Sequence, residues 1–107
     1  MQFLIVTKQS VPPPPEVAVQ LLDAMFEWTK RYTGNGKVRE TWGFAGQQGG
    51  GGILNVESFD ELDTIMTEFP FAPFSTIEIY PLVDLIPSLE RAKQVWQAAS
   101  AGMGRRG

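Results

Sequence analysis

The chain has 107 residues, neither cysteine nor histidine, and a formal net charge of −3 from 9 basic and 12 acidic side chains. That length allows one domain. The two missing residue types exclude disulfides, thiol nucleophiles, thiolate or imidazole metal sites and an axial haem histidine. The mild negative charge argues against a nucleic-acid surface. No stretch approaches bilayer-spanning length, and the apolar run Phe3–Val6, closed by Lys8, is too short for a signal peptide. The expectation is a cytoplasmic protein with neither nucleic acid nor membrane as partner.

Gln2 to Lys8 reads as a strand with apolar residues on both faces, Phe3 and Ile5 against Leu4 and Val6. Pro12 to Pro15 form a stiff exit, and Glu16 places an acid near a helix N-terminus. From Glu16 to about Tyr32, residues Val17, Leu21, Met25, Trp28 and Tyr32 recur at helical spacing. The helix stops at Gly34-Asn35-Gly36. Val38 to Ala45 alternates as a strand, with Val38, Glu40, Trp42 and Phe44 on one side. Gly46 to Gly52 reads as a hairpin loop, since it lacks the Lys and Ser/Thr of a phosphate cradle. Ile53 to Val56 is a short return strand.

Ser58 followed by Glu61 is a capping box, and Phe59, Leu62, Met66 and Phe69 continue as a helix ended by Pro70. An aromatic turn, Phe71 to Phe74, leads to a fourth strand, Thr76 to Val83. There Ile77 and Ile79 share one face and Glu78, Tyr80 and Leu82 the other, while Pro81 marks an edge or a strand end. Pro87 and Ser88 open a last helix to about Ala99. The remaining residues, including Arg105 and Arg106, read as a solvated, disordered tail.

This order predicts an α+β, ferredoxin-like βαββαβ domain over residues 1–88, with a C-terminal helix and tail over 89–107. Its four-stranded antiparallel sheet carries two helices on one face. The other face is apolar enough to need cover, which points to a homodimer or larger ring. The final helix is free to clasp that partner.

The residues Arg39-Glu40-Thr41-Trp42-Gly43-Phe44-Ala45-Gly46 give a second strand with Arg and Trp ending in Ala-Gly. Gly52 to Ser58 lead into a Ser-capped helix, and an aromatic, proline-rich turn precedes Thr76-Ile77-Glu78-Ile79. Over about residues 1–88 this pattern resembles muconolactone isomerase and its relatives. The resemblance implies a dimeric α/β barrel and a small-molecule pocket between sheet and helices or inside the barrel. It also implies a proton shift on an unsaturated lactone without metal or organic cofactor. Known enzymes of the family carry a histidine after the second-strand Arg and another after Ala-Gly; here those places hold Glu40 and Gln47.

A cofactor-free proton shift needs a base beside an acidic C–H and a donor for the enolate. Glu78 and Glu40 are the candidate bases, and Arg39 is the anion handle, because its guanidinium can grip a carboxylate in a fork. Tyr80 can donate to an enolate oxygen, and Trp42, with Phe44, can wall a planar ligand. Glu27, four residues before Arg31, reads as half of a surface ion pair. The leading expectation is an isomerase- or cyclase-like enzyme acting on a small lactone or organic acid. A non-catalytic dimerising or ligand-binding module of the same fold is the second. A cofactor-free monooxygenase leaning on Trp42 and Asn55 is the third.

Overall fold

The computed structural model describes residues 1–104 of the chain; Arg105 and Arg106 lie outside the described residues. Strand β1 (Gln2–Gln9) is followed by helix α1 (Pro15–Gly34), strands β2 (Val38–Gly43) and β3 (Gly49–Asn55), and helix α2 (Phe59–Thr67). A short 3-10 turn (Ala72–Phe74) then enters strand β4 (Ser75–Leu82), and helix α3 (Leu85–Gly104) follows. The four strands form one antiparallel sheet in the order β2-β3-β1-β4. This is the expected ferredoxin-like arrangement, with β4 on an edge, one of the two positions Pro81 allowed.

The helices form where local chemistry starts and stops them. Pro15 sits in the first turn of α1, where the missing N–H costs nothing. Gly36, at φ +79°, supports the turn after α1. Ser58 Oγ accepts the backbone N–H of Glu61 at 3.1 Å, so the expected cap opens α2.

Core packing lies entirely on one sheet face. Phe3, Ile5, Val38 and Leu54 from the strands meet Trp28 and Tyr32 of α1 and Leu62, Ile65 and Met66 of α2. Trp28 links the two helices: its indole Nε1 donates to the Ile65 carbonyl at 3.1 Å, and its ring meets Tyr32 and Phe69 edge-on. The Tyr32 hydroxyl donates to the Glu68 carboxylate, which Arg31 also approaches at 3.5 Å. Arg31 therefore pairs across to the end of α2. The expected Glu27 partner on its own helix is not an ion pair among the described residues.

Other sequence expectations change too: β2 ends at Gly43, leaving Phe44 and Ala45 outside the strand. Gly49 to Gly52 belong to β3, not to the hairpin loop, and pair with Lys8, Thr7, Val6 and Ile5. Backbone pairing on both sides supplies what the missing side chains cannot. A β-carbon at Gly50 would lie 2.3 Å from the Trp42 carbonyl oxygen, so the strands approach where only glycine fits. Helix α3 begins at Leu85, ahead of Pro87, and runs to Gly104, past Ala99. It projects from the body: the chain measures 71 × 28 × 24 Å, with a radius of gyration of 19.6 Å. A compact domain of this length has about 13 Å.

Candidate functional site

Sheet register decides where each nominated side chain goes, because residues directly opposite on neighbouring strands share a face. On the face away from α1 and α2, Tyr80 stands opposite Leu4, Leu4 opposite Ile53, and Ile53 opposite Glu40. The adjacent row is Glu78, Val6, Gly51 and Trp42. Glu40, Trp42, Glu78 and Tyr80 therefore all belong to the open face.

A bulge between Val38 and Glu40 produces this arrangement. Val38 stands opposite Leu54 and is buried among the core residues. Glu40 stands opposite Ile53 and points away. Simple alternation placed Val38, Glu40 and Trp42 together; the bulge separates the first from the other two. Arg39 falls within the bulge, has no ladder partner and is exposed.

Within the open face the candidates form two groups. The Tyr80 hydroxyl donates to the Glu78 carboxylate, two residues away on the same strand. That acceptor, and then its negative charge, raise the Tyr80 pKa above the ordinary phenol value, so the hydroxyl remains a proton donor. Glu40 and Trp42 lie on β2 at the opposite edge of the sheet. Three strand spacings, about 14 Å, separate the two edges. One chain therefore does not bring Glu40 and Glu78 onto one small molecule. The Trp42 indole lies over Gly51: Nε1 would be 2.9 Å from a β-carbon there. Asn55 stands opposite Gln2, four residues along β3 from Gly51, or about 14 Å, so it does not join Trp42.

On the helix side lies a cavity of about 410 Å³ between α1 and the β1-β3-β2 part of the sheet. Met25, Trp28 and Thr29 come from α1, and Thr7, Thr41 and Gly50 from the strands. Trp42 borders it as well. Hydroxyls and the amides of Gln9 and Gln48 provide its polarity; no Asp, Glu, Lys or Arg lines it. It can hold a small uncharged ligand but offers no base. The family resemblance implied a pocket between sheet and helices, but the residues as read from the sequence did not give its lining: Met25 and Trp28 were assigned to the core and Gly50 to a loop. The usable signal was the glycine run ahead of Ile53-Leu54, which leaves β3 without side chains beneath α1.

Among the described residues there is no cluster of acids that could hold a metal ion, and no helix is long and apolar enough to cross a membrane.

Comparison with known proteins agrees with this architecture. The crystal structure of a muconolactone isomerase superposes with a TM-score of 0.71 at 27% identity, covering 80% of this chain and 92% of that one. A 5-chloro-2-hydroxyhydroquinone dehydrochlorinase from Burkholderia phenoliruptrix AC1100, solved with 2,5-dihydroxybenzoquinone, shares the fold. Its TM-score is 0.62 at 19% identity, over 79% of this chain and 96% of that chain. Muconolactone Delta-isomerase of Rhodococcus opacus is 34% identical over 68 residues, which span 64% of this chain and 73% of the relative. The family model for muconolactone delta-isomerase matches residues 1–85, and the chain belongs to that family.

Proposed function

We propose that the chain is a cofactor-independent isomerase- or cyclase-like enzyme that moves a proton on a small unsaturated lactone or organic acid. The observation carrying this reading is the Tyr80–Glu78 contact on the open face, in a chain of this family. In the proposed reaction the Glu78 carboxylate takes a proton from the carbon beside the substrate carbonyl. The electron pair shifts onto the carbonyl oxygen, where the Tyr80 hydroxyl donates to the resulting enolate. Return of the proton at the far end of the conjugated system moves the double bond. Arg39 stands on β2 beside Glu40, so within one chain its fork would grip a substrate carboxylate at that edge, and it would reach a substrate at Glu78 only from a second copy. Glu40 is the alternative base on the other edge.

Water on the open face would weaken such a base, since desolvation is what raises a carboxylate's proton affinity. Leu4, Val6 and Ile53 are half-buried there, and Trp42 and Tyr80 are exposed. The proposed unit is therefore a homodimer closing two sheets face to face. A strictly monomeric mass at micromolar concentration would remove that part of the reading.

The test follows the double-bond shift of muconolactone by ultraviolet absorbance, in the wild type and in Glu78→Gln, Glu40→Gln and the double variant. Loss of the acting base lowers turnover at least about a hundredfold. A double variant as fast as the wild type would sink the assignment.

A second reading is favoured by the uncharged helix-side cavity. There the chain binds a small neutral ligand without chemistry. Quenching of Trp28 fluorescence by a lactone that is never turned over would support this reading over the first.

A further inference from the structure

The helix-side cavity has an ordered lining, and strand register gives the order. Gln9 pairs with Ser75, and the Gln9 backbone N–H donates to the Gln48 carbonyl at 3.0 Å, so these three residues stand together at one end of the floor. Moving inward, the floor crosses Gly43, Gly50 and Gly52 with Thr41, and ends on the buried Val38 and Leu54. Three positions of that floor therefore carry no side chain. Met25 and Trp28 of α1 lie on the opposite wall. Polarity is thus graded, with two amides and a hydroxyl at one end and hydrocarbon at the other.

The polar end has hydrogen bonds to give. Among the described residues, Thr7 is the one hydroxyl of this lining that is engaged within the chain, donating to the Gly50 carbonyl at 3.2 Å. The side chains of Gln9, Gln48, Thr41 and Ser75 are open to a ligand. Trp28 gives its indole N–H to Ile65, so it offers the space only its ring. An anion entering here would exchange water for amides and hydroxyls with no cation to pair it, and burying an unpaired charge is costly. Size is limited from the same register. Gly50 and Gly52 lie about 7 and 14 Å inward of Gln48 along β3. With the reach of the amide added, two fused rings cover both glycines, and one ring covers only the first. A volume of about 410 Å³ accommodates the larger of these.

We propose that the cavity takes a flat, uncharged, oxygenated aromatic of two fused rings. Its oxygen meets the Gln9–Gln48–Ser75 end, and its rings lie over Gly50 and Gly52 beneath Met25. This deepens the reading of the cavity as a site for a neutral ligand and rests on it; it needs neither Glu78 nor Tyr80.

Calorimetric titration of the full-length chain near neutral pH with 2-naphthol, 2-naphthoate and phenol tests the assignment. The first probe is neutral, the second is its anionic analogue and the third has one ring. The expected Kd for 2-naphthol is about 100 μM or lower. The anion should bind at least about thirtyfold more weakly, and phenol at least about tenfold more weakly. Gly43→Leu fills the floor: a β-carbon there meets only the Gly49 carbonyl oxygen, at 3.9 Å, so the side chain enters without displacing backbone. It should weaken 2-naphthol at least about tenfold with the urea midpoint unchanged. Met25→Trp fills the space from α1 and should read the same loss. Gln48→Arg supplies the missing cation and should bring 2-naphthoate within about threefold of 2-naphthol.

If none of the three probes binds, the cavity is no ligand site, and the underlying reading falls with the proposal. If 2-naphthoate binds as tightly as 2-naphthol and both are lost in Gly43→Leu, the site stands and its neutral class falls. Phenol as tight as 2-naphthol removes the two-ring assignment. Binding of 2-naphthol that survives both filling variants lies elsewhere and overturns the proposal.

Discussion

Gly51 and Gly34 should respond oppositely to the same substitution. A β-carbon on Gly51 would stand 2.6 Å from the Ile5 carbonyl oxygen, 2.9 Å from Trp42 Nε1 and 3.0 Å from Trp42 Cε2. Ordinary contact begins near 3.4 Å. The indole can swing aside, but the Ile5 carbonyl belongs to the central strand pairing and cannot move alone. Gly51→Ala must therefore spread β1 from β3 or twist β3, and overpacking of this kind costs about 1–3 kcal/mol. Against that, removing a glycine narrows the unfolded ensemble and contributes about 0.4–1 kcal/mol in favour of folding. The steric term is larger, so the net expectation is a loss of about 1–2 kcal/mol. That is a sizeable share of the roughly 5–15 kcal/mol typical of a domain. At Gly34, in the last turn of α1, a β-carbon meets nothing within 4 Å and the backbone is not left-handed. Only the favourable term remains, and Gly34→Ala should gain about 0.5 kcal/mol. Urea unfolding of both variants, with the slope checked for constancy, measures the two signs. Equal or greater stability for Gly51→Ala would refute the close packing of β3 against its neighbours and the position of Trp42 with it.

Three further outcomes follow from the same geometry. Ser58→Ala removes the acceptor for the Glu61 N–H and should cost about 1 kcal/mol in urea unfolding, with Ser58→Asp retaining most of it. Trp28→Phe loses the hydrogen bond to the Ile65 carbonyl, about 1 kcal/mol, and leaves a void where the larger ring stood; about 2–3 kcal/mol in all is expected. In an active preparation, the Glu78 acceptor raises the Tyr80 pKa above the ordinary phenol value, so tyrosine ionisation should limit kcat/KM only at a higher pH than an ordinary phenol would. The sign is that of a raised pKa: the protonated donor is complete at lower pH and is lost as pH rises through the raised value. An alkaline limb at lower pH that disappears in Tyr80→Phe would contradict the assigned donor.

Element order, face assignment of β1 and β4, and the Ser58 cap were readable because each rests on local chemistry repeated over several residues. Phe3 and Ile5 on one face, with Glu78 and Tyr80 on the other side of their strand from Ile77 and Ile79, follow from a period of two that nothing interrupts. The glycines of β3 failed to register as a strand because a residue without a side chain carries no period. Its pairing is written in the carbonyls of Ile5 and Trp42, which sequence does not locate. Arg31 turned to Glu68 rather than Glu27 for a related reason. A partner brought close by tertiary packing competes with one four residues away, and only the fold places it.

The bulge in β2 carries most weight for function. Without it, Val38, Glu40 and Trp42 would share one face, and the strand would place a carboxylate and an indole either under α1 or away from it together with Val38. With it, Val38 closes the core while Glu40 and Trp42 turn outward. The core is thereby kept free of charge, and every nominated carboxylate stands on the face that the chain leaves uncovered. A domain that sorts its ionisable groups this way separates two capacities. The helix side can hold a neutral ring beside Trp28 without reacting with it. The open side carries the carboxylate and the hydroxyl of the proposed proton transfer without a roof, so on that proposal the transfer depends on a second copy excluding water. Activity should accordingly fall with protein concentration below the dissociation constant of the proposed dimer, whereas ligand binding on the helix side should not.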